Sequence, residues 1–247
     1  MIYKLLQHIG EYFILMLKVT SKPKKWNVFR KQLLLEFEKV GINSIWLVLI
    51  ISLFVGAVVA IQTKFNMDSP ILPMYLVGVA SRDSLILEFS PTMLSLILAG
   101  KVGSSIASEI GSMRITEQID ALEIMGINSA SFLILPKIIA TVFFFPFLII
   151  LSMFIGMIGA WLGGLSADVS TAEFLHGLRY EFNSFYITYA VVKTIFFAFI
   201  ISSVSSYFGY NSKGGAIAVG KSSTQAVVSS SILILLFNYV LTDLILS

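Results

Sequence analysis

The sequence predicts an all-α, polytopic membrane protein. Five transmembrane helices are preceded by N-terminal interfacial amphipathic helices, and a cytoplasmic helix joins spans two and three. Three observations predict this. Mean hydropathy is +0.89 and only 13% of the 247 residues are charged, whereas soluble domains carry about 25%. Uncharged or nearly uncharged runs of bilayer length recur along the chain, and a span needs roughly 20 residues. Basic residues gather in alternate connecting segments, as the positive-inside rule requires.

The length leaves no room for a large soluble catalytic domain. The net charge of +3 reports topology and lipid headgroups in this setting, so no nucleic-acid partner is expected. The absence of Cys excludes disulfides, thiol catalysis and Cys-ligated metals. His8 and His176 stand apart in sequence without clustered ligands, so neither a metal site nor a cofactor is expected.

Residues 2–19 place Lys4, His8, Glu11 and Lys18 near one helical face and Leu5, Ile9, Phe13 and Met16 over much of the rest. This pattern suits a helix lying in the interface plane. Pro23 breaks the chain within the basic run Lys22, Lys24 and Lys25. A second amphipathic piece sets Trp26, Phe29, Leu33 and Phe37 against Arg30, Lys31, Glu36 and Glu38. No small-residue cleavage site follows a short apolar core, so residues 1–40 are expected to be interfacial helices of the mature chain.

Span one is the uncharged run from Val40 to Thr63. Span two is expected to start near Ser84, pass Glu88 and Pro91, and continue through Ala99. Span three lies between Lys137 and Asp168 and contains Pro146. Span four runs from about Phe185 to Phe208 with Lys193 inside it, and span five from about Thr224 to Asp243. With the N-terminus inside, the outer segments hold only Lys64, Arg82 and Arg179, and all other basic segments are cytoplasmic. Five spans then put the C-terminus outside. Pro91 and Pro146 are expected to break their helices and help shape a cavity.

Ser95, Ala99, Gly103, Ala107 and Gly111 recur every four residues, beside a second row of Gly100, Ser104, Ser108 and Ser112. Span three repeats the pattern with Gly156, Ala160 and Gly164. Such smooth faces let backbones approach closely in lipid. Two readings stand: tight packing within the chain, or a homodimer seam.

Gly215–Ser222 fits G-x-x-x-x-G-K-[ST], the phosphate-cradling loop. That loop needs a strand before it, and here a membrane span precedes it. The expected role of Gly215 and Gly220 is a Gly-rich turn that lets two spans pack. The segment 112–126 reads as a short helix capped by Thr116, with Glu117 and Asp120 in its first turn and Gly126 as its stop. Ile115, Ile119 and Leu122 share a face. Glu117, Asp120 and Glu123 spread over the other side. Asp120-Ala121-Leu122, Gly126 and Ile134-Leu135-Pro136 also loosely match the EAA loop of ABC importers.

Taken in order, EFSP (88–91), LAGKVGSSIASEIGSMRITEQIDALEIMG (98–126), Lys193 with Phe196-Phe197, and GGAIAVGKSSTQAVVSSSILI (214–234) resemble the MlaE (YrbE-type) permease family. The central block carries the likeness: Gly100, Gly103, Glu109, Gly111, Met113, Arg114, Thr116, Glu117, Gln118, Asp120, Ala121, Leu122 and Gly126 fall in register. The chain departs from the family at Ile217-Ala218, where Glu-Gly is usual, and at Phe89-Ser90, where Leu-Gly is usual.

The resemblance implies a transmembrane permease domain over residues 41–247, with a coupling segment at about 104–130. It implies the membrane subunit of an ABC transporter that moves phospholipids between the inner and outer membranes of a Gram-negative bacterium. It further implies a homodimer, a cytoplasmic ABC ATPase subunit that hydrolyses the ATP, and a periplasmic MCE-domain lipid-binding protein. Arg114, Thr116, Glu117, Gln118, Asp120 and Glu123 are the expected coupling residues. Gly100, Gly103, Gly111, Gly126, Gly215 and Gly220 are expected at close helix contacts.

Intramembrane charges are functional candidates. Glu88 is expected about one turn, and Lys193 about two turns, inside the outer ends of their spans. They are placed to pair or to meet a lipid headgroup; Lys193 snorkelling to the interface is the other reading. A rival reading is an ion-gradient-driven transporter or channel using both. A lipid-acting membrane enzyme lacks a catalytic His/Asp/Glu cluster within the spans.

Overall fold

A computed structural model describes residues 2–20, 26–67 and 72–246. The basic run Lys22, Lys24 and Lys25, with Pro23, lies outside the described residues. Among the described residues every regular element is helical. In order these are α1 (Ile2–Val19), α2 (Trp26–Phe37), α3 (Asn43–Asn66), α4 (Tyr75–Ser84), α5 (Leu94–Leu98), α6 (Ser104–Ile115), α7 (Gln118–Ile124), α8 (Ser129–Ser166), α9 (Thr171–Arg179), α10 (Phe185–Tyr210) and α11 (Ala216–Leu246). Three π-helical segments, Glu38–Ile42, Leu85–Met93 and Ala99–Gly103, join α2 to α3, α4 to α5, and α5 to α6.

Five helices are long and apolar enough to cross a membrane: Val28–Asn66, Tyr75–Ile115, Ser129–Ser166, Phe185–Tyr210 and Ala216–Ile245. The chain is a multi-pass membrane protein, with five such helices among the described residues. Two boundaries differ from expectation. The second amphipathic piece is no separate element but runs through a π segment into span one. Span two begins at Tyr75, before Ser84, because the polar residues Ser81, Arg82 and Asp83 are accommodated within the helix. Glu88 consequently lies about three and a half turns from the helix start.

The prolines do not break their helices. Pro146 sits within the continuous α8, and Pro91 within the π segment Leu85–Met93. A proline removes one backbone donor, and widening the turn to a π pattern is one way a helix continues past it.

The chain divides into two compact units. One comprises Met1–Ile42, Leu96–Phe144 and Phe196–Tyr239; the other comprises Asn43–Ser95, Phe145–Ile195 and Val240–Ser247. In the first, α1 lies against α10: the Tyr12 hydroxyl donates to Ser203 Oγ at 2.9 Å, and the Tyr207 hydroxyl donates to Glu11 Oε2 at 3.1 Å. His8 Nδ1 lies 2.7 Å from the same hydroxyl. The polar side of α1 is thus turned to α10, and Leu6, Phe13, Ile14 and Leu17 are exposed. Burial raises the pKa of Tyr12, and hydrogen bonds from Gln7 and then Tyr207 lower that of Glu11.

In the second unit α3 and α8 meet along a small-residue seam. A Cβ at Gly159 would collide with the Leu53 carbonyl, and one at Gly163 with that of Ala57. Glycine therefore sets the helix spacing there. Ser52 Oγ donates to Ser152 Oγ at 2.8 Å, which donates to Ser90 Oγ at 3.2 Å. Val59, Ala60, Val77, Leu85, Ala160, Val169 and Phe174 form the adjoining core. A Ser170/Glu173 capping box starts α9.

Candidate functional sites

Lys193 projects from α10 into complete burial, with 0% of its side chain exposed. An ammonium has three protons to place, and acceptors surround this one. Nζ lies 2.8 Å from the Tyr189 hydroxyl, 3.0 Å from Glu88 Oε1, 3.3 Å from Thr242 Oγ1 and 3.4 Å from the Leu87 carbonyl. It also stands 4.7 Å from the Tyr189 ring centroid. Tyr189 and Thr242 share a further hydrogen bond of 2.8 Å. The lysine is enclosed and does not snorkel.

Local sequence explains the cradle. In an α-helical pattern the amide at position 91 would serve the Leu87 carbonyl. Pro91 has no such amide; the chain runs in a π pattern there, and the Leu87 oxygen also lies 3.4 Å from Lys193 Nζ. Glu88 holds a second bond, from Thr92 Oγ1 to Oε2 at 2.9 Å. Its side chain is 44% exposed. One partner is therefore sealed and the other half open, so the pair shows a carboxylate edge beside a screened cation. An ion pair in an apolar span is costly unless well bonded, and this one is.

The second candidate is the elbow between α6 and α8. Thr116 does not cap the helix after it. It closes α6, its hydroxyl donating to the Ser112 carbonyl at 2.8 Å and accepting from Gln118 Nε2 at 3.0 Å. Glu117 occupies the N-cap with φ +59° and no side-chain cap bond; only Asp120 of the two acids lies in the first turn. Gly126, at φ +71°, ends the turn. The Ile127 N–H returns to the Leu122 carbonyl at 3.0 Å, as in a Schellman stop.

Two of the three acids of this elbow are committed within the chain. Asp120 Oδ1 accepts from Arg114 Nη1 at 2.7 Å, and Arg114 lies over the Tyr210 ring at 5.8 Å. Glu123 Oε1 accepts from Ser129 Oγ at 2.8 Å and from the Tyr210 hydroxyl at 2.9 Å. The Ser129 bond, then the Tyr210 bond, hold the Glu123 carboxyl below the usual carboxylate range. Ile119 is fully buried. Glu117, Gln118, Ala121, Glu123, Ile124 and Met125 are exposed, the last two by 88% and 64%.

The small-residue rows separate. Ser95, Ala99, Gly103, Ala107 and Gly111 are buried within the chain. Gly103 faces Ser205, Gly111 faces Val219, and Ala107 lies against Gly209. In the parallel row Gly100, Ser104 and Ser108 are half-buried and Ser112 is exposed. Added Cβ atoms at Gly100, Gly126, Gly215 or Gly220 would meet nothing within 4 Å. The close packing expected at these four is not made within this chain. The phosphate-loop match lies on α11 from Ala216 onward, after the end of α10 and not after a strand. Ile217 there is 92% exposed.

Two features escaped sequence reading. Arg82 is buried, and its Nη1 donates to the carbonyls of Leu178 at 3.0 Å and Tyr180 at 2.8 Å at the end of α9. Lys137, placed by pattern in a cytoplasmic segment, is buried between Glu36 and Glu109. Its position inside an otherwise apolar run was the available signal.

The family model described as Permease MlaE matches residues 33–244. A probable ABC transporter permease protein of Rickettsia bellii is 36% identical over 251 residues, covering 98% of this chain and 93% of the relative. One from Synechocystis is 34% identical over 215 residues, covering 86% and 81%. The chloroplastic protein TRIGALACTOSYLDIACYLGLYCEROL 1 of Arabidopsis thaliana is 30% identical over 232 residues, covering 92% of this chain and 65% of that protein.

Proposed function

Because this chain belongs to the MlaE permease family, and is thus a transport subunit and not an enzyme, we propose that it moves phospholipids between the inner and outer membranes of a Gram-negative bacterium, maintaining outer-membrane lipid asymmetry. A separate cytoplasmic ABC ATPase hydrolyses the ATP and seats on α7. A periplasmic MCE-domain protein exchanges the lipid, and two copies of the permease work together. The skew of basic residues supports a cytoplasmic N-terminus and a periplasmic C-terminus. The less buried row of Gly100, Ser104, Ser108 and Ser112 is the smooth face left for the second copy.

The observation that carries the lipid reading is the Glu88–Lys193 pair. A phospholipid headgroup holds a phosphate beside a cationic or polar group. A sealed ammonium next to a half-open carboxylate offers it both signs within apolar helices. Leu, Phe and Met side chains supply an adaptable wall for acyl chains. On the elbow, the fixed acids hold the backbone while Glu117, Ile124 and Met125 project toward the ATPase. Displacement of α7 is carried into α6 and α8, coupling one site to another.

The test is lipid transfer by the permease with its ATPase in proteoliposomes, with photocrosslinking to phospholipid. Lys193→Ala is expected to lower lipid crosslinking and transfer while ATPase co-purification stays intact; full transfer by that variant overturns the lipid-path role. The half-open carboxylate inside a span also favours a second reading, an ion-driven transporter. That reading requires transport without the ATPase.

A further inference from the structure

The first unit contains a partly buried chain of alternating charges that neither candidate site uses. Lys137 Nζ, in α8, donates to Glu36 Oε1 of α2 at 2.7 Å and to Glu109 Oε2 of α6 at 2.8 Å. Lys39, in the π segment that follows α2, donates to Glu109 Oε1 at 2.9 Å and lies 3.8 Å from Glu36. Two carboxylates and two ammoniums balance. The Lys137 and Glu36 side chains are 2% and 5% exposed.

Energy alone does not explain these charges. The desolvation of a buried pair offsets most of its attraction, and apolar residues of the same volume often serve stability as well or better. What a charge pair adds is directional: each bond tolerates only a small change in spacing. The connections here are specific. Glu109 stands on the stem leading into the elbow, and Lys137 on the stem leading out. Glu36 and Lys39 add α2 and its π segment. A change in the spacing of α6 and α8 must either break a bond at Lys137 or carry α2 along.

We propose that Lys137, with Glu36 and Glu109, is a positioning clamp that transmits displacement of the elbow to α2 and the π-helical segment Glu38–Ile42. A π segment is where a helix changes its bonding register, so it is a suitable receiver for such a shift. The inference rests on the reading that a nucleotide-driven subunit moves α7.

The test uses the full permease assembled with its ATPase subunit in phospholipid proteoliposomes. Lys137→Met alone leaves the Glu36 carboxylate buried and unpaired, so the test variant is the double Glu36→Gln/Lys137→Met. Two quantities are read: lipid transferred per ATP, and the ATP-dependent change in hydrogen exchange at residues 26–42. With coupling energies of the usual size, the double variant should hydrolyse ATP within about twofold of the parent and transfer roughly tenfold less lipid per ATP. Its exchange response at 26–42 should vanish, and Lys137→Arg, which keeps the charge, should retain both signals. An unchanged exchange response in the double variant, with unchanged lipid per ATP, overturns the clamp. If the parent complex shows the exchange response but moves no phospholipid, the substrate assignment fails. The clamp is then decided by that response: loss in the double variant upholds it and persistence overturns it.

Discussion

Lys193 Nζ lies 3.0 Å from Glu88 Oε1, with the ammonium wholly enclosed and the carboxylate 44% exposed. The asymmetry makes the two residues unequal under mutation. Removing the carboxylate leaves the ammonium sealed away from water with only neutral acceptors. Removing the lysine leaves a carboxylate that is already partly open. Glu88→Gln should therefore lower stability more than Lys193→Met, by about 3 kcal/mol against less than about 2. The double variant should recover part of the loss. Thermal unfolding of the four proteins in one detergent gives the cycle; additive losses would mean that the pair does not interact.

Pro91 prepares the same cradle through the backbone. Pro91→Ala restores an amide able to bond the Leu87 carbonyl in α register, competing with Lys193. Interior helix proline costs about 3 kcal/mol relative to Ala, so the variant should be at least as stable as the parent. Lipid transfer should nevertheless fall several-fold, on the order of 1 kcal/mol of lost positioning. Stability and transfer measured on one preparation check this. A variant that gains stability and keeps full transfer would remove the proline from the mechanism.

The elbow predicts an order of effects that its acids alone would not. Ile124 and Met125 are the most exposed large apolar side chains of the segment, whereas Asp120 and Glu123 are bonded within the chain. Ile124→Asp should weaken co-purification of the ATPase about tenfold or more, as loss of an interface anchor does. Glu117→Lys should weaken it less, and Glu123→Gln should act chiefly on stability. Pull-down at fixed detergent and salt ranks the three. If Glu117→Lys proves the strongest, the contact is electrostatic and the apolar knob is incidental.

The fold was legible where one segment's chemistry decided its state. Uncharged or nearly uncharged runs gave the spans. Gly126 gave the elbow's stop. What could not be read was long-range pairing. Glu36 and Lys137 are 101 residues apart, and although Lys137 stands in an apolar run, neither residue names its partner. The same holds for Arg82: beside its neighbour Asp83, its acceptors are the carbonyls of Leu178 and Tyr180, which carry no sequence signature. Thr116 misled because a threonine before an acid reads as an N-cap, whereas its hydroxyl bonds backward to Ser112. The small-residue rows looked equivalent until burial separated them.

That separation has a direct consequence for the glycines. On α8, a side chain at Gly159 or Gly163 must displace the α3 backbone, which cannot rotate away as a flexible side chain would. Gly159→Val or Gly163→Val should cost about 3 kcal/mol or more and reduce the yield of folded protein. Gly100→Ala meets nothing in this chain, so it should leave monomer stability within about 0.5 kcal/mol. It should weaken self-association if that face meets a second copy. Unfolding temperature and native mass spectrometry separate the two effects.

Glu123 gives the elbow a defined response to acid. Its folded pKa is depressed by hydrogen bonds from Ser129 and Tyr210, so the folded state binds its proton later than the unfolded state. Its stabilisation is therefore complete above the unfolded value of about 4.3. It is lost as pH falls from there through the lower folded value. As pH falls below about 4.3, the parent's stability should decline with acid, and Glu123→Gln should remove Glu123's share of that slope. The variant should be the less stable of the two near neutrality, with the gap closing as pH falls. Unfolding temperatures of both proteins across this range check the sign; a gap that widens in acid would mean that the carboxylate is not held charged by the elbow.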